Sequence, residues 1–551
     1  MLSSKVLKAG HDSAFERLVE RFFTALGNGY RRVLSWMLDG WPVLIVFTML
    51  VMLSMFPMYL VSQKELAPSE DHGILFVAAR GPEVATLDYT KAYTREMLQA
   101  YQSIPEYNES FFILGFGSPN SSFGGFRLKP LAERTRSQAE VQQALQPKLN
   151  NVTGVQANAF SRPSLPGAGR GLPIQFVVLT PADYPQLDAS VDELLGTAMK
   201  SGKFMFLQKS VEFARPKTTV VVDRNRAGAL GIQMEDVGRE LATMLGGNYV
   251  NWFNLEGRSY KVIPQVPDEM RATEDMLQGY YIRTASGRLV PMSSIVSFES
   301  TVEPSERAQF QQLNSLTLQG MTAPGVAMGD ALQFLNDQAA LVLPDGFAWD
   351  YAGVSRQYIQ EGNALIVTML LAAMVIYLVL AAQFESWRDP LIIMMSVPMS
   401  IAGALAFIML GFATINIYTQ VGLITLIGLI AKNGILIVEF ANQLQLEHGL
   451  SKRAAIEQGA MIRLRPILMT TIAMIVAMVP LLTAAGPGAV SRFHIGLVIA
   501  AGLGLGTLFT LFIVPAFYLA LARDHRQPGT ANDYLPSRIS LTLESTPIRK
   551  A

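Results

Sequence analysis

The stretch GLITLIGLIAKNGILIVEF, residues 422–440, decides how the rest of the chain is read. It is long and apolar enough to cross a bilayer core, which takes roughly 20 residues of helix. Near its middle stands Lys432. An ammonium group at that depth costs about 2.5–3.5 kcal/mol on insertion scales, so it is expected to face protein or water and to have a partner. Lys432 lies about 12 Å from the cytoplasmic end of its helix at 1.5 Å per residue, far for an unaided lysine stem. Snorkelling or a structural pairing is the plain reading, and an ion or proton pathway is the functional one.

The span holding this stretch reads as 418–440, and five further stretches have span length: 41–61, 363–382, 391–412, 466–485 and 495–521. Across these six, the only acidic residue is Glu439. It follows Lys432 by seven residues, roughly 10 Å along the axis, too far for a direct pair. The carboxylate partner of Lys432 is therefore expected outside these spans. Lys5, Lys8, Arg17, Arg21, Arg31 and Arg32 precede the first span. Lys452, Arg453, Arg463 and Arg465 fall in the connection 441–465, and Arg523 and Arg526 in the tail. By the positive-inside rule both termini are cytoplasmic and the segment between the first two spans is external. The turn QFESWRDP (383–390) is also inside, with Trp387 suited to the interface. About forty mixed residues precede the first apolar run, which does not read as a secretory signal.

The 551 residues are 50% hydrophobic and 16% charged, with formal net charge zero and no cysteine. The balance gives no pointer to nucleic acid. Disulfides, thiolate metal sites and cysteine nucleophiles are excluded. No nucleophile–base set or phosphate loop is present, so the chain does not read as an enzyme and would not bind ATP. No cofactor or metal is expected. The 26 methionines read as apolar filler, and His494 has no companions. Gly502, Gly504 and Gly506 read as small residues for close helix contact rather than a dinucleotide loop.

The external segment, 62–360, is patterned. GILFVAARG (73–81), LDYTKAYTREMLQAYQ (87–102), ESFFILGFG (109–117), FGGFRLKPL (123–131), SQAEVQQALQPKL (137–149) and GVQANAF (154–160) read as β-α-β-β-α-β, the ferredoxin-like order. Ser137 and Glu140 have capping-box spacing. The order restarts at LPIQFVVLT (172–180) and finishes at FAWDYAG (347–353), interrupted by an insertion over about 217–303.

QVGLITLIGLIAKNGILIVEFANQ (420–443) and RLRPILMTTIAMIVAMVPL (463–481) resemble the tenth and eleventh spans of resistance–nodulation–division (RND) multidrug efflux transporters, hydrophobe/amphiphile branch. VVDRNRAGALGIQMEDVGREL (221–241), GGNYVNWF (246–253) and LAAQFESWRDPLIIMMSVPMSIAGAL (380–405) resemble other parts of the family. The resemblance covers only the family's C-terminal repeat, spans seven to twelve. It implies an α-helical membrane domain of six transmembrane helices plus periplasmic α+β ferredoxin-like porter subdomains with an inserted docking subdomain. The implied division is 1–40, a cytoplasmic amphipathic segment; 41–61, the first transmembrane helix; and 67–163, a first porter subdomain. Residues 164–216 and 304–355 would form a second porter subdomain, and 217–303 the docking subdomain. A five-helix bundle at 363–522 and a cytoplasmic tail at 523–551 complete it. Lys432, Arg463 and Thr470 match the family's proton relay. Its aspartate pair belongs to an N-terminal half that this chain lacks. Phe111, Phe116 and Phe126 match substrate-pocket phenylalanines, although core packing of a strand is the plain alternative for each. GFGSPNSS (115–122) falls at the family's switch loop, with Ser118 in place of an aromatic.

The function so implied is the C-terminal half of a proton-driven exporter of hydrophobic and amphiphilic compounds in a Gram-negative inner membrane. It would be powered by the proton motive force. Its implied partners are an N-terminal half or intact RND protomers in a trimer, a periplasmic adaptor and an outer-membrane channel. The alternative is a truncated remnant or a non-transporting membrane assembly module.

Overall fold

The structure, a computed structural model, describes residues 14–165 and 171–524. Lys5, Lys8, Arg526 and most of the tail lie outside the described residues. Helix α1 (Ala14–Asp39) bends at Gly40 into α2 (Trp41–Val61). The first soluble unit follows: β1 (Ile74–Arg80), α3 (Leu87–Gln102), β2 (Tyr107–Leu114), β3 (Ser121–Leu128), α4 (Gln138–Asn150) and β4 (Gln156–Ser161). Its antiparallel sheet has the order β2-β3-β1-β4. Thr86 caps α3, and the capping box of Ser137 and Glu140 closes on α4 in both directions. Both helices cover one face of the sheet, over a core that includes Leu75, Val77, Tyr101, Phe126, Val141 and Leu145.

The second unit opens with β5 (Ile174–Thr180), α5 (Tyr184–Lys200) and β6 (Phe204–Lys209). The chain then leaves through β7 (Arg215–Val222), α6 (Arg224–Ala229), α7 (Met234–Leu245), β8 (Asn251–Leu255), β9 (Arg258–Val262), α8 (Glu274–Gln278), β10 (Tyr281–Arg283), β11 (Leu289–Pro291) and β12 (Val296–Glu303). β7 and β12 pair along their length, so the excursion leaves and returns through one two-stranded ribbon. It has its own small core around Val237, Ile282 and Met292. The second unit resumes with β13 (Gln309–Phe310), β14 (Leu313–Thr322), α9 (Met328–Val342) and β15 (Ala348–Tyr351). β14 lies between β5 and β6, and β15 flanks β5 on its other edge. The strand order thus repeats that of the first unit.

Five more helical elements follow among the described residues: α10 (Gly353–Phe384), the pair α11 (Arg388–Met394) and α12 (Ser396–Met409), α13 (Ile417–His448), α14 (Lys452–Leu482) and α15 (Ala489–Leu521). Among the described residues six helices are long and apolar enough to cross a membrane, α11 and α12 counting as one. Several bounds differ from the sequence reading: the second span starts at Gly353 rather than 363, and the last at Ala489 rather than 495. The helix at 418–440 runs on to His448, where Gly449 ends it with a positive φ of 63°. The helix expected to start at Pro466 starts at Lys452, capped by Ser451, and Pro466 lies inside it. The basic connection 441–465 is therefore mostly helix. The third span begins at Arg388, which brings Asp389 into it.

α15 packs against α12, α13 and α14. The glycines of GLGLG explain the closeness. A Cβ on Gly502 would lie 2.2 Å from Leu426, and one on Gly506 2.6 Å from the Ser400 hydroxyl. Ser400 donates to the Gly502 carbonyl at 2.8 Å.

The linker between α2 and β1 ties the soluble part to the spans. Ile415, in the α12–α13 turn, donates to the Gln63 carbonyl, and Glu65 N donates to the Ile415 carbonyl. The Glu65 carboxyl meets the Thr414 hydroxyl. Glu70 accepts from Ser491 N at 2.7 Å and Val490 N at 3.3 Å in the first turn of α15. A carboxylate there satisfies orphan amides and complements the helix dipole.

Candidate functional site

Lys432 and Asn433 are neighbours on α13 and point about 100° apart around it. Lys432 is exposed on the outer face of the helical bundle, and Asn433 is fully buried. Lys432 makes no ion pair among the described residues, and Glu439 on the same exposed face does not reach it. Asn433 donates to Thr507 on α15 at 3.0 Å and to Thr471 on α14 at 3.5 Å, and its Oδ1 has no partner. Thr471 and Thr507 are themselves 3.2 Å apart.

The other two expected relay residues do not join Lys432. Arg463 is half-buried with its guanidinium 4.5 Å from the Phe440 ring centre, and its Nε has no acceptor. Thr470 donates to its own helix, to the Ile467 carbonyl at 3.0 Å. The buried contact with α13 belongs to its neighbour Thr471. The Asn433–Thr471–Thr507 triad was missed in the sequence because uncharged polar residues in a span carry little signal. The signal that existed was a lysine–asparagine pair whose two side chains a helix must send about 100° apart. Asp389 was missed because it was read as part of a turn. It is 2% exposed, accepts from Asn442 on α13 at 3.3 Å, and has a second oxygen without a partner.

The second cluster is aromatic and lies on the helix-free face of the first unit's sheet. Phe123 is its centre. Its ring centre is 5.4 Å from Phe76, 6.2 Å from Phe111, 5.5 Å from Phe116 and 6.4 Å from Phe160. Gly125 makes this possible. It pairs with Phe76 on one side and Phe111 on the other, and those rings meet at 6.4 Å beside it. A Cβ there would lie 2.6 Å from the Leu75 carbonyl and 3.1 Å from the Phe76 ring. Phe111 is 44% and Phe116 57% exposed. Phe116 sits in a tight turn held by the Ser121 hydroxyl, which donates to its carbonyl at 2.5 Å.

Phe126 is a correction. It is 1% exposed and stacks on Tyr101 of α3 at 4.9 Å, on the helix-covered face. Phe123 and Phe126 are three residues apart, and strand side chains alternate, so the two cannot share a face. Phe76, Phe123 and Phe160 are the members that sequence reading did not name.

Arg80, at the end of the aromatic-face row of β1, donates to the Ser210 carbonyl of the second unit at 3.1 Å and pairs with Glu83. A cavity of about 590 Å³ opens between the two units and the linker. Gln142, Arg162, Met205, Met321 and Glu65 contribute to its wall. Burial holds the Glu65 carboxyl above the usual glutamate range, against the opposing hydrogen bond with Thr414. Asp71, at the cavity's edge, is also penalised by desolvation. Hydrogen bonds from Arg134 and from the Gln138 and Gly73 amides outweigh this and hold it below the usual range.

With this geometry in place, the profile of the AcrB/AcrD/AcrF family matches residues 1–522. The chain belongs to the AcrB/AcrD/AcrF family. It is a multi-pass membrane protein of the RND type. An uncharacterized transporter of Haemophilus influenzae is 37% identical over 533 residues, 96% of this chain and 52% of the relative. Multidrug resistance protein MdtF of Escherichia coli K12 is 29% identical over 489 residues, 87% of this chain and 47% of MdtF. The toluene efflux pump membrane transporter TtgB of Pseudomonas putida is 29% identical over 532 residues, 94% and 50% respectively. The chain spans about half the length of these curated relatives. Assignment to the C-terminal repeat alone gains no support from the family match, which runs through residues 1–522 as a whole.

Proposed function

We propose that this AcrB/AcrD/AcrF-family chain works in proton-driven efflux of hydrophobic and amphiphilic compounds across a Gram-negative inner membrane. The observation that carries the reading is Lys432. A lysine exposed at mid-span with no carboxylate among the described residues would be costly against lipid. The arrangement makes sense when a helix carrying carboxylates, from outside the described residues, docks on that face of α13. Proton binding to those carboxylates would release the ammonium, and a shift of α13 would reach α14 and α15 through the Asn433–Thr471–Thr507 contact. The proton motive force would drive the cycle. Arg463 and Thr470, on the adjoining helix, are proposed to complete the proton path.

The two β-α-β-β-α-β units serve in this reading as ferredoxin-like porter subdomains in the periplasm, and 217–303 as the docking subdomain. The aromatic face around Phe123 would take apolar parts of the exported compound, with Phe111 and Phe116 presented to it. Its partners would be RND protomers in a trimer, a periplasmic adaptor and an outer-membrane channel.

The test is efflux of a fluorescent amphiphile from cells deprived of their own pumps. Lys432→Ala is expected to abolish export while membrane insertion is unchanged. Normal export by this variant would sink the proposed coupling.

A further inference from the structure

The elbow between α1 and α2 forms a second, separate groove against α15, with a volume of about 630 Å³. That lies within the range of small-molecule sites, about 300–1,000 Å³. Val43 and Phe47 of α2 and Leu508 and Phe509 of α15 line it, and the Phe47 and Phe509 rings pack against each other with centres 5.9 Å apart. Its polar rim is confined to one end. Asp39 and Gly40 lie there, and Asp39 pairs with Arg453 at the start of α14.

The opposite faces of α1 explain the groove's position. Tyr30, Leu34 and Leu38 are buried in the bundle core. Arg32, Trp36 and Asp39 follow one another at spacings of four and three, on one exposed stripe of the same helix. Trp36 is 74% exposed and lines the groove. An exposed tryptophan beside arginines where a surface helix meets a span is the composition of a membrane–water boundary. Arg453 is shared between Asp39 and Glu457, and Arg31 and Arg32 on α1 leave this end with more cations than acids, so its charge complements an anion.

We propose that this groove is a binding site for an anionic phospholipid of the cytoplasmic leaflet. One acyl chain lies along the groove wall formed by Val43, Leu508 and the touching Phe47 and Phe509 rings, and the phosphodiester sits on Arg32 beside the Asp39–Arg453 pair.

The experiment uses the full chain in phosphatidylcholine vesicles, with Trp41→Phe and Trp387→Phe so that Trp36 is the remaining reporter at the cytoplasmic boundary. Trp252 and Trp349, in the soluble units, are the unquenched reference. Acyl-brominated phosphatidylglycerol is expected to quench Trp36 more strongly than acyl-brominated phosphatidylcholine at the same fraction. Arg32→Gln is expected to lose that preference and keep the quenching common to both lipids. Equal quenching by both lipids in the parent protein overturns the proposal. So does no quenching by either, which would mean that protein fills the groove. A preference unchanged in Arg32→Gln overturns the assignment of the phosphodiester to Arg32. Arg32 is exposed, and its replacement leaves the packed face of α1 intact.

Discussion

Phe123 and Phe126 are separated by two glycines and by the whole thickness of a sheet. Phe126 fills the helix-covered core, where removal of a large aromatic side chain costs about 3–5 kcal/mol. Phe123 is half-buried among four rings on the other face, where each aromatic contact contributes about 0.5–1.5 kcal/mol. The two alanine variants should therefore separate stability from export. Phe126→Ala is expected to lower the thermal midpoint of the soluble unit sharply. Phe123→Ala is expected to change it less, yet to reduce export of large apolar compounds. Thermal unfolding beside accumulation assays reads both, and equal loss of stability in the two would reject the division of faces. The sequence made Phe111 and Phe116 visible as candidates. It did not show that Phe76 and Phe160 join them, because those contacts depend on cross-strand register, which forms only when the sheet pairs. The parity that excludes Phe126 was present in the spacing alone.

At the scale of elements, the order β-α-β-β-α-β and its interrupted repetition were legible because period-two strands and capped helices leave local signatures. Ser137 and Glu140 are the clearest case. The full lengths of α13 and α14 were not legible, since their polar ends past the bilayer continue as helix and break the apolar pattern before the helix itself ends. Close packing of α15 was legible in Gly502 and Gly506. A Gly502→Val change would put two methyls where Leu426 already stands. It is expected to cost about 1–3 kcal/mol through overpacking, read as a lower unfolding midpoint in detergent; Gly504→Ala, whose Cβ meets only Ile475 at 3.8 Å, should be nearly neutral.

The joint between linker and spans gives a prediction with a sign. Burial raises the folded-state value of Glu65 above its ordinary 4.5. Its contribution is fully present below the ordinary value and is lost as pH rises through the raised one. Protease protection of the 62–72 linker should therefore weaken as pH rises above that ordinary value. Glu65→Gln, uncharged at all pH, should remove this component of the pH dependence. A linker equally protected across the range in both proteins would contradict it.

For the whole molecule, the features form one account. Two similar sheet units are bound to a helical bundle through a linker that touches the first turns of α9 and α15 and the α12–α13 turn. A movement of the spans thus has direct mechanical routes to the soluble units. Inside the bundle the polar triad links α13, α14 and α15, while the charge that would sense a proton faces outward. The sequence disclosed that charge and the lack of an acid near it in the spans. It could not disclose which way Lys432 faces, because helix α13 is apolar nearly all round and its periodicity is weak.

The most direct measurement is to ask what Lys432 touches in native membranes. A membrane-permeant carbodiimide joins an amine to a carboxylate only in direct contact, and mass spectrometry of the product names both residues. The account predicts a Lys432 cross-link to a carboxylate outside residues 14–165 and 171–524 of this chain, lost when bulk pH is lowered enough to protonate that acid. A cross-link only to Glu439, or an unmodified Lys432 beside other cross-linked lysines, would contradict the proposed coupling.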